Sequence, residues 1–183
     1  TGPVQIVFAA GETWQPLDAL HVYARPIHPD MLSSLPEDAT PVGVRFGENI
    51  LLLGATLPTQ TTFAPGESIP LVIYWQAVAP VRERYKVFVH LVGDEYNKRT
   101  DNTVWGQQDQ EPRGGAATTT TWQTGLIIED DYLIPVQEDA PPGTYRIEIG
   151  LYLPLSGERL PIISDEEWGP GDSVLLMEVK IGP

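Results

Sequence analysis

Apolar and polar residues alternate with a period of two along most of the chain beyond residue 49. The alternation is clearest in four segments, residues 68–78, 85–92, 144–153 and 173–181. Successive side chains of a β-strand point to opposite faces, so each segment predicts a strand with an apolar stripe on one face. In the second segment this arrangement places Val87 and Val89 on the apolar face and Phe88 and His90 on the other.

Clusters of turn-forming residues separate these segments and indicate the fold class. Proline and glycine occur together directly before three predicted strands, at residues 64–67, 140–143 and 168–172. Proline fixes φ and glycine permits positive φ, so such clusters reverse the chain. Shorter apolar runs predict further strands at residues 4–9, 20–24, 50–57 and 126–135.

Many short strands separated by turns predict an all-β fold, an antiparallel β-sandwich of immunoglobulin-like or jelly-roll-like type. We expect at most one short helical turn, at residues 29–36. A parallel α/β fold is excluded because no amphipathic helical segments separate the strands. Residues 93–124 lack sustained alternation, and a structureless stretch of that length in a compact domain is often functional. The sequence therefore predicts that a site, if the chain carries one, lies in residues 93–124.

The domain prediction is a single β-sandwich domain over residues 1–183. Residues 1–45 are less regular than the rest. They are interpreted either as an N-terminal extension, such as a strand pair docked on the sandwich, or as the end of a preceding domain. Residues 46–183 then form the sandwich itself.

The balance of charge narrows the classes of partner. The chain of 183 residues has 11 Lys and Arg against 25 Asp and Glu, a formal net charge of −14. Nucleic acids and anionic membranes both require a basic surface, so neither is an expected partner. Without cysteine, disulfides and thiolate zinc sites are excluded. The chain begins with Thr-Gly-Pro rather than Met, so we expect a piece of a longer protein whose membrane segment lies elsewhere.

Four residues are candidates for ligand binding: His90, Trp105, Asp109 and Trp122. The two tryptophans have glutamine neighbours, and exposed rings flanked by amides and acids suit the apolar faces and hydroxyls of a sugar. The alternative is that each tryptophan plugs an end of the sandwich. For His90 the alternative is a sheet-face residue with a satisfied ring nitrogen.

Aspartates on predicted loops suggest calcium, because this cation prefers hard oxygen ligands. The candidates are Asp101, Asp109 and Asp130, although no Asp-x-Asp-x-Asp-Gly loop occurs; otherwise no cofactor is expected. Acidic residues at 129–131 and 165–167 leave open a glycoside hydrolase that uses two loop carboxylates. Solvated turns of an acidic protein are the alternative for these residues.

From residue 46 onward a series of motifs occurs in a recognisable order. The motifs are Phe46-Gly47-Glu48-Asn49-Ile50-Leu51-Leu52-Leu53-Gly54, Pro65-Gly66-Glu67, Leu71-Val72-Ile73-Tyr74-Trp75-Gln76-Ala77, Tyr85-Lys86-Val87-Phe88-Val89-His90-Leu91, Gln108-Asp109-Gln110-Glu111-Pro112, Thr120-Thr121-Trp122-Gln123-Thr124-Gly125, Ile128-Glu129-Asp130, Ala140-Pro141-Pro142-Gly143-Thr144-Tyr145, Gly150-Leu151-Tyr152 and Gly157-Glu158-Arg159-Leu160. Together they resemble the C-terminal β-sandwich domain of bacterial (Chloroflexi-type) multi-pass membrane glycosyltransferase-like proteins of the dolichyl-phosphate-mannose mannosyltransferase type.

The resemblance implies a non-catalytic, extracytoplasmic accessory module, tethered through a membrane segment outside this fragment and binding a glycan, another protein or a neighbouring domain. It supplies no catalytic residues, because the transferase chemistry belongs to membrane parts absent here. A purely structural spacer is the alternative. The residues themselves suggest that Trp75, Phe88 and Tyr145 fill the core, and that Arg159 pairs with an acid such as Asp130.

Overall fold

The structure, a computed structural model, describes residues 7–10, 13–16, 31–163 and 171–182. Its strands are β1 (Val7–Ala10), β2 (Thr13–Pro16), β3 (Met31–Leu32), β4 (Thr40–Phe46), β5 (Ile50–Thr56), β6 (Thr62–Phe63), β7 (Ser68–Ala77), β8 (Lys86–Asn97), β9 (Asn102–Gln110), β10 (Ile127–Pro135), β11 (Gly143–Tyr152) and β12 (Val174–Ile181). Two short 3-10 turns lie between β9 and β10, at Pro112–Gly115 and Thr119–Thr121. None of the helical turns in these residues is long and apolar enough to cross a membrane.

The strands form two five-stranded sheets that pack face to face, and β1 pairs with β2 in a separate hairpin. The first sheet has the order β3-β10-β7-β5-β4, and the second has the order β6-β12-β11-β8-β9. Neighbouring strands are antiparallel, except that the two-residue β6 runs parallel to β12. The prediction of an all-β antiparallel sandwich is confirmed.

Alternating side chains of the two sheets fill the space between them. Trp75 on β7 is 0% exposed and lies at the centre of an aromatic group. Its ring centroid lies 6.0 Å from that of Phe46 in an edge-to-face arrangement and 6.5 Å from that of Trp122 in a stacked one. Tyr145 on β11 belongs to the same core. The predictions that Trp75 and Tyr145 fill the core are therefore confirmed.

The predicted helical turn at residues 29–36 is wrong for the part of it that the structure describes. Met31–Leu32 form β3, which pairs with β10 at one edge of the first sheet. The 3-10 turns lie elsewhere, in the segment between β9 and β10. Residues before 46 thus supply β3 and most of β4 to the sandwich; the strand predicted at residues 20–24 lies outside the described residues.

Residues 93–124 are not the long loop that the sequence suggests. β8 continues to Asn97, and β9 covers Asn102–Gln110, so much of the segment is a hairpin. Polar residues on β9 broke the alternation that would have indicated a strand. β9 is the last strand of its sheet, and two of its glutamines, Gln108 and Gln110, bond to backbone groups of β10 in the other sheet.

Candidate functional site

Three neighbouring strands build a polar cluster on the outward face of the second sheet. β8 lies between β9 and β11, and residues paired across strands share a face. The outward positions of the three strands therefore form two rows. One row contains Asp109, Phe88 and Gly150, and the other contains Gln107, His90 and Glu148. We call these residues, together with Tyr152, the outer-face cluster.

His90 and Asp109, two of the predicted ligand-binding residues, meet in this cluster. The His90 Nε2 atom lies 3.1 Å from Asp109 Oδ1, and the two side chains are 15% and 26% exposed. Tyr152 lies close enough that Asp109, after burial, is a cause of the raised pKa of its hydroxyl. The cluster thus presents an acid, an imidazole and a phenol on one sheet face, with Asp109 in contact with His90 and next to Tyr152.

Phe88 is buried on the outward face, which corrects its expected place in the core. Its ring lies above Gly150, where a Cβ would come within 2.4 Å of Phe88 Cζ. The guanidinium carbon of Arg159 lies 4.3 Å from the ring centroid and covers its other side. Arg159 pairs with Asp172 at 3.0 Å rather than with Asp130, so the predicted Arg159–Asp130 pair is wrong.

Both predicted sugar-stacking tryptophans lie in the interior. Trp105 is 7% exposed and donates its indole N–H to the Glu95 carbonyl at 2.9 Å. Trp122 is 5% exposed, donates to the Ala117 carbonyl at 2.8 Å and stacks on Trp75. Neither ring face is available to a ligand, and the interpretation of these residues as exposed aromatic platforms is therefore wrong in this structure.

The glutamines that suggested sugar binding join the two sheets instead. Gln108 Oε1 accepts a hydrogen bond from the backbone N–H of Leu133 at 2.7 Å, and Gln110 Nε2 donates to the Asp131 carbonyl at 3.2 Å. A third hydrogen bond, of 3.0 Å, connects the two side chains. Amide side chains of β9 therefore satisfy backbone groups along the edge of β10, where an open edge would invite pairing with another chain.

Replacing Gln108 with alanine is expected to lower the free energy of unfolding by about 1 kcal/mol, because Leu133 loses its partner. Urea denaturation measures the change. Gln107→Ala is the matched control, since Gln107 is exposed on the outward face and should change the free energy by less than about 0.5 kcal/mol. Equal effects of the two substitutions would contradict the proposed role of Gln108.

The three calcium candidates lie in three different environments. Asp101 is in the turn between β8 and β9 and accepts a hydrogen bond from the Tyr96 hydroxyl. Asp109 pairs with His90 on the outward face, and Asp130 is 0% exposed inside the sandwich. Within the described residues, no three acidic or histidine side chains form a group that could hold a metal ion.

Asp130 is a buried carboxylate that holds the turn after β9. Its Oδ1 accepts the backbone N–H of Arg113 at 2.6 Å, and its Oδ2 accepts the Tyr132 hydroxyl at 2.7 Å. Arg113 adopts a left-handed conformation with φ of 57°, which is unusual outside glycine. Burial raises the pKa of Asp130 to about 6, although its hydrogen bonds and the nearby Trp75 indole N–H lower it.

A groove opens at the end of the sandwich next to the outer-face cluster. It has a volume of about 720 Å³, within the usual range for ligand sites. The described residues that line it are Arg82, Glu83, Arg84, Lys86, Glu111, Thr120, Leu153, Pro154, Leu155 and Ser156. We call it the 82–86 groove after the strand entry that forms one wall. Lys86 pairs with Tyr152 across β8 and β11, so the groove and the outer-face cluster adjoin.

Cations dominate the polar wall of the 82–86 groove. Arg84 binds Glu111 through two hydrogen bonds of 2.7 and 2.6 Å, and this contact lowers the pKa of the Glu111 carboxyl. Among the described residues, no carboxylate lies within 4 Å of the charged groups of Arg82 and Lys86. These two cations are therefore available to a negatively charged ligand.

The opposite wall of the groove is a tight hairpin that carries an apolar tip. The Leu153 N–H donates to the Glu158 carbonyl at 2.9 Å, and the Gly157 N–H donates to the Leu153 carbonyl at 2.8 Å. Gly157 has φ of 72°, a conformation that glycine adopts without strain. The turn leaves Leu155 fully exposed, at 102% of its reference area.

The sequence analysis did not identify the 82–86 groove. The available signal was three cations within five residues, Arg82, Arg84 and Lys86, in a chain with 11 cations in all. The apolar hairpin that completes the groove lies about seventy residues later in the chain, and only the pairing of β8 with β11 brings it alongside.

Geometry is the guide to where a ligand could bind in this chain. The residues predicted to bind a ligand or calcium lie in three separate places: the outer-face cluster, the interior of the sandwich and the turn between β8 and β9. The 82–86 groove adds a concave surface that the sequence did not indicate. Searches against protein-family models and against curated proteins found no match.

Proposed function

We propose that the chain is a non-catalytic binding module of a larger, membrane-tethered protein, that it acts outside the cytoplasm, and that its ligand binds in the 82–86 groove. The observation that carries this proposal is the groove itself. It is concave, it is bordered by Arg82 and Lys86 on one side, and it has the fully exposed Leu155 on the other. Ligand sites commonly combine apolar side chains with a few polar or charged groups that fix the orientation of the ligand. The groove has both kinds of group on facing walls.

Among the described residues, the state of the carboxylates supports a module without catalysis; the predicted acidic group at 165–167 lies outside them. A glycosidase needs one carboxylic acid that is protonated near neutral pH and can reach the substrate. The raised pKa of Asp130 belongs to a side chain with no exposed surface. In the groove, Glu111 has a lowered pKa because Arg84 holds it, so it is a poor proton donor.

The placement of the module outside the cytoplasm rests on the order of motifs from Phe46 to Leu160, which resembles that of membrane glycosyltransferase-associated domains. The complete reading frame tests this part of the proposal directly. Predicted membrane helices in the same polypeptide would support it, and a reading frame without any would contradict the tether.

Nuclear magnetic resonance titration of the isotopically labelled domain tests the binding site. We expect saturable shift changes centred on Arg82, Lys86 and Leu155 with at least one member of a panel of mannosides, uronic-acid oligosaccharides, acidic peptides and neutral peptides. The double variant Arg82→Gln, Lys86→Gln should weaken that binding, whereas Lys98→Gln, which removes an exposed cation elsewhere, should not. Absence of shifts at the groove with every panel member would contradict the proposal and favour a structural spacer.

The outer-face cluster supports a second candidate function, glycan binding on the sheet face. His90, Asp109 and Tyr152 place polar groups side by side there, and hydroxyl groups of a sugar could replace their mutual contacts. In the same titration, this alternative predicts that a saccharide shifts His90 and Asp109 more than Arg82 and Leu155. His90→Ala should then weaken saccharide binding.

A further inference from the structure

We propose that the ligand of the 82–86 groove is a short acidic segment of a partner polypeptide that carries an apolar side chain next to its carboxylates. This inference rests on the proposed binding function of the groove and specifies the chemistry of its ligand. It draws on three features of the groove: its charge, its apolar hairpin and the chemical character of its lining.

The charge of the groove is opposite to that of the chain. The described residues of its lining include three cations, Arg82, Arg84 and Lys86, against the carboxylates of Glu83 and Glu111, whereas the chain as a whole has a net charge of −14. The bidentate contact between Arg84 and Glu111 neutralises one positive and one negative charge of the lining. Among the described lining residues, Arg82 and Lys86 then remain against Glu83, although Lys86 also acts on the Glu111 carboxylate. This leaves a local positive surplus that attracts carboxylates.

The same contact keeps the cationic wall in place. Planar bidentate pairs between arginine and a carboxylate have a well-defined geometry, and Glu111 directly precedes the turn that Asp130 holds through Arg113. The backbone of Tyr85 is fixed as well, because its N–H donates to Thr119 Oγ1 at 3.1 Å. The segment that bears Arg82 and Lys86 is therefore fixed at two adjacent residues between them, Arg84 and Tyr85, which reduces the entropy lost on binding.

Leu155 supplies the apolar contact. It stands at the tip of a turn that two backbone hydrogen bonds close, next to Leu153 and Pro154 in the groove wall. An apolar side chain of a ligand would remove this exposed surface from water at about 25 cal/mol per Å². A purely ionic ligand, such as inorganic phosphate, would leave Leu155 uncovered.

The lining favours a polypeptide over a saccharide. Sugar rings pack best against aromatic faces, and none of the described residues that line the groove is aromatic. An acidic peptide with one aliphatic side chain matches both walls at once, with carboxylates towards Arg82 and Lys86 and the aliphatic group towards Leu155. The volume of about 720 Å³ admits only a short segment.

Isothermal titration of the intact domain with three synthetic octapeptides tests the inference. The first has glutamates around a central leucine, the second has glutamine at each glutamate position, and the third has serine in place of the leucine. We expect the first peptide to bind at least about tenfold more tightly than the second and about threefold more tightly than the third. Raising the salt from 50 to 500 mM should weaken the first peptide several-fold, because ionic contacts are screened.

Matched variants locate the binding. Arg82→Gln with Lys86→Gln should weaken the acidic peptide about tenfold, and Leu155→Ser should weaken it about threefold. The controls Lys98→Gln and Leu133→Ser change an exposed cation and an exposed leucine away from the groove, and they should leave affinity unchanged within twofold. Thermal denaturation of each variant confirms that it remains folded.

The possible failures are distinguishable. Equal binding of the acidic and amide peptides, or binding of a saccharide but no peptide in the groove, would overturn the acidic segment while the proposed binding function stands. Sedimentation that shows a dimer lost in the Arg82→Gln, Lys86→Gln variant would assign the groove to a second copy of this chain and also overturn the inference. No groove ligand in either experiment would contradict both proposals.

Discussion

Gly150→Ala is expected to lower the free energy of unfolding by about 1–3 kcal/mol, the range seen when a well-packed site is overfilled. The added Cβ would lie 2.4 Å from Phe88 Cζ and 2.5 Å from the Asp172 carbonyl oxygen. The Phe88 ring is 2% exposed and is covered by Arg159, so it has little room to move aside. The carbonyl is backbone and is still less able to yield. Chemical denaturation measures the loss.

Gly143→Ala is the control for this prediction because it changes the same residue type in the same strand. At Gly143 the nearest atom to an added Cβ lies 3.8 Å away, an ordinary contact. This variant should be as stable as the natural chain or slightly more stable, since alanine restricts the unfolded chain. If the two variants proved equally stable, the close packing of Phe88 on Gly150 would be refuted.

A loss of ligand binding in the 82–86 groove that occurs in Gly150→Ala but not in Gly143→Ala would further connect the outer-face cluster with the hairpin at Leu155.

The strands of the interior were predictable because burial imposes the period of two. Residues 68–78 and 144–153 alternate regularly, and they form β7 and β11 almost to the residue, each placed inside its sheet with strands on both sides. β9 was not predictable in this way. As an edge strand it carries glutamines that bind backbone groups of β10. The resulting run of polar residues is typical of a loop, so the sequence did not predict a strand there.

The candidate site was predictable only in part, because the sequence pattern shows which residues are close along the chain but not which side chains meet in the folded structure. His90 and Asp109 meet because β8 and β9 form a hairpin in which Asp109 pairs with Phe88 and His90 pairs with Gln107, so that the two side chains are diagonal neighbours on one face. Trp105 and Trp122 have polar neighbours in sequence, yet their rings turn inward and their indole N–H groups reach backbone carbonyls. Trp105 lies in β9 at a shift in the register with β8, and Trp122 follows a 3-10 turn rather than lying in a strand, so their polar neighbours in sequence did not indicate which way either ring points.

Asp130 shows how a residue that suggested a ligand site can instead stabilise a loop. A carboxylate inside a sandwich is costly unless it is well hydrogen-bonded. Here it accepts the Arg113 N–H and the Tyr132 hydroxyl. The left-handed backbone at Arg113 brings that N–H to the carboxylate, which connects the turn after β9 with the core.

The stability of the natural chain relative to Asp130→Asn is expected to increase by about 1–2 kcal/mol when the pH falls from 7.5 to 5.0. The pKa of Asp130 is about 6 in the folded chain against an ordinary value of 3.8, so the folded state binds a proton more readily than the unfolded state. Stability from this group is therefore greatest below pH 3.8 and declines as the pH rises towards 6 and above. Asparagine keeps an acceptor for Arg113 but does not titrate, so the difference between the two chains isolates this single group.

Urea denaturation at several pH values measures that difference, and both chains should be compared above the isoelectric point of about 4.4. Asp131→Asn is the control for removing a carboxylate from the same strand, because Asp131 is exposed and contributes far less than burial to the raised pKa of Asp130. Its substitution should change the pH dependence of stability much less than Asp130→Asn does. A flat difference for Asp130→Asn would mean that its carboxylate is not desolvated as the structure implies.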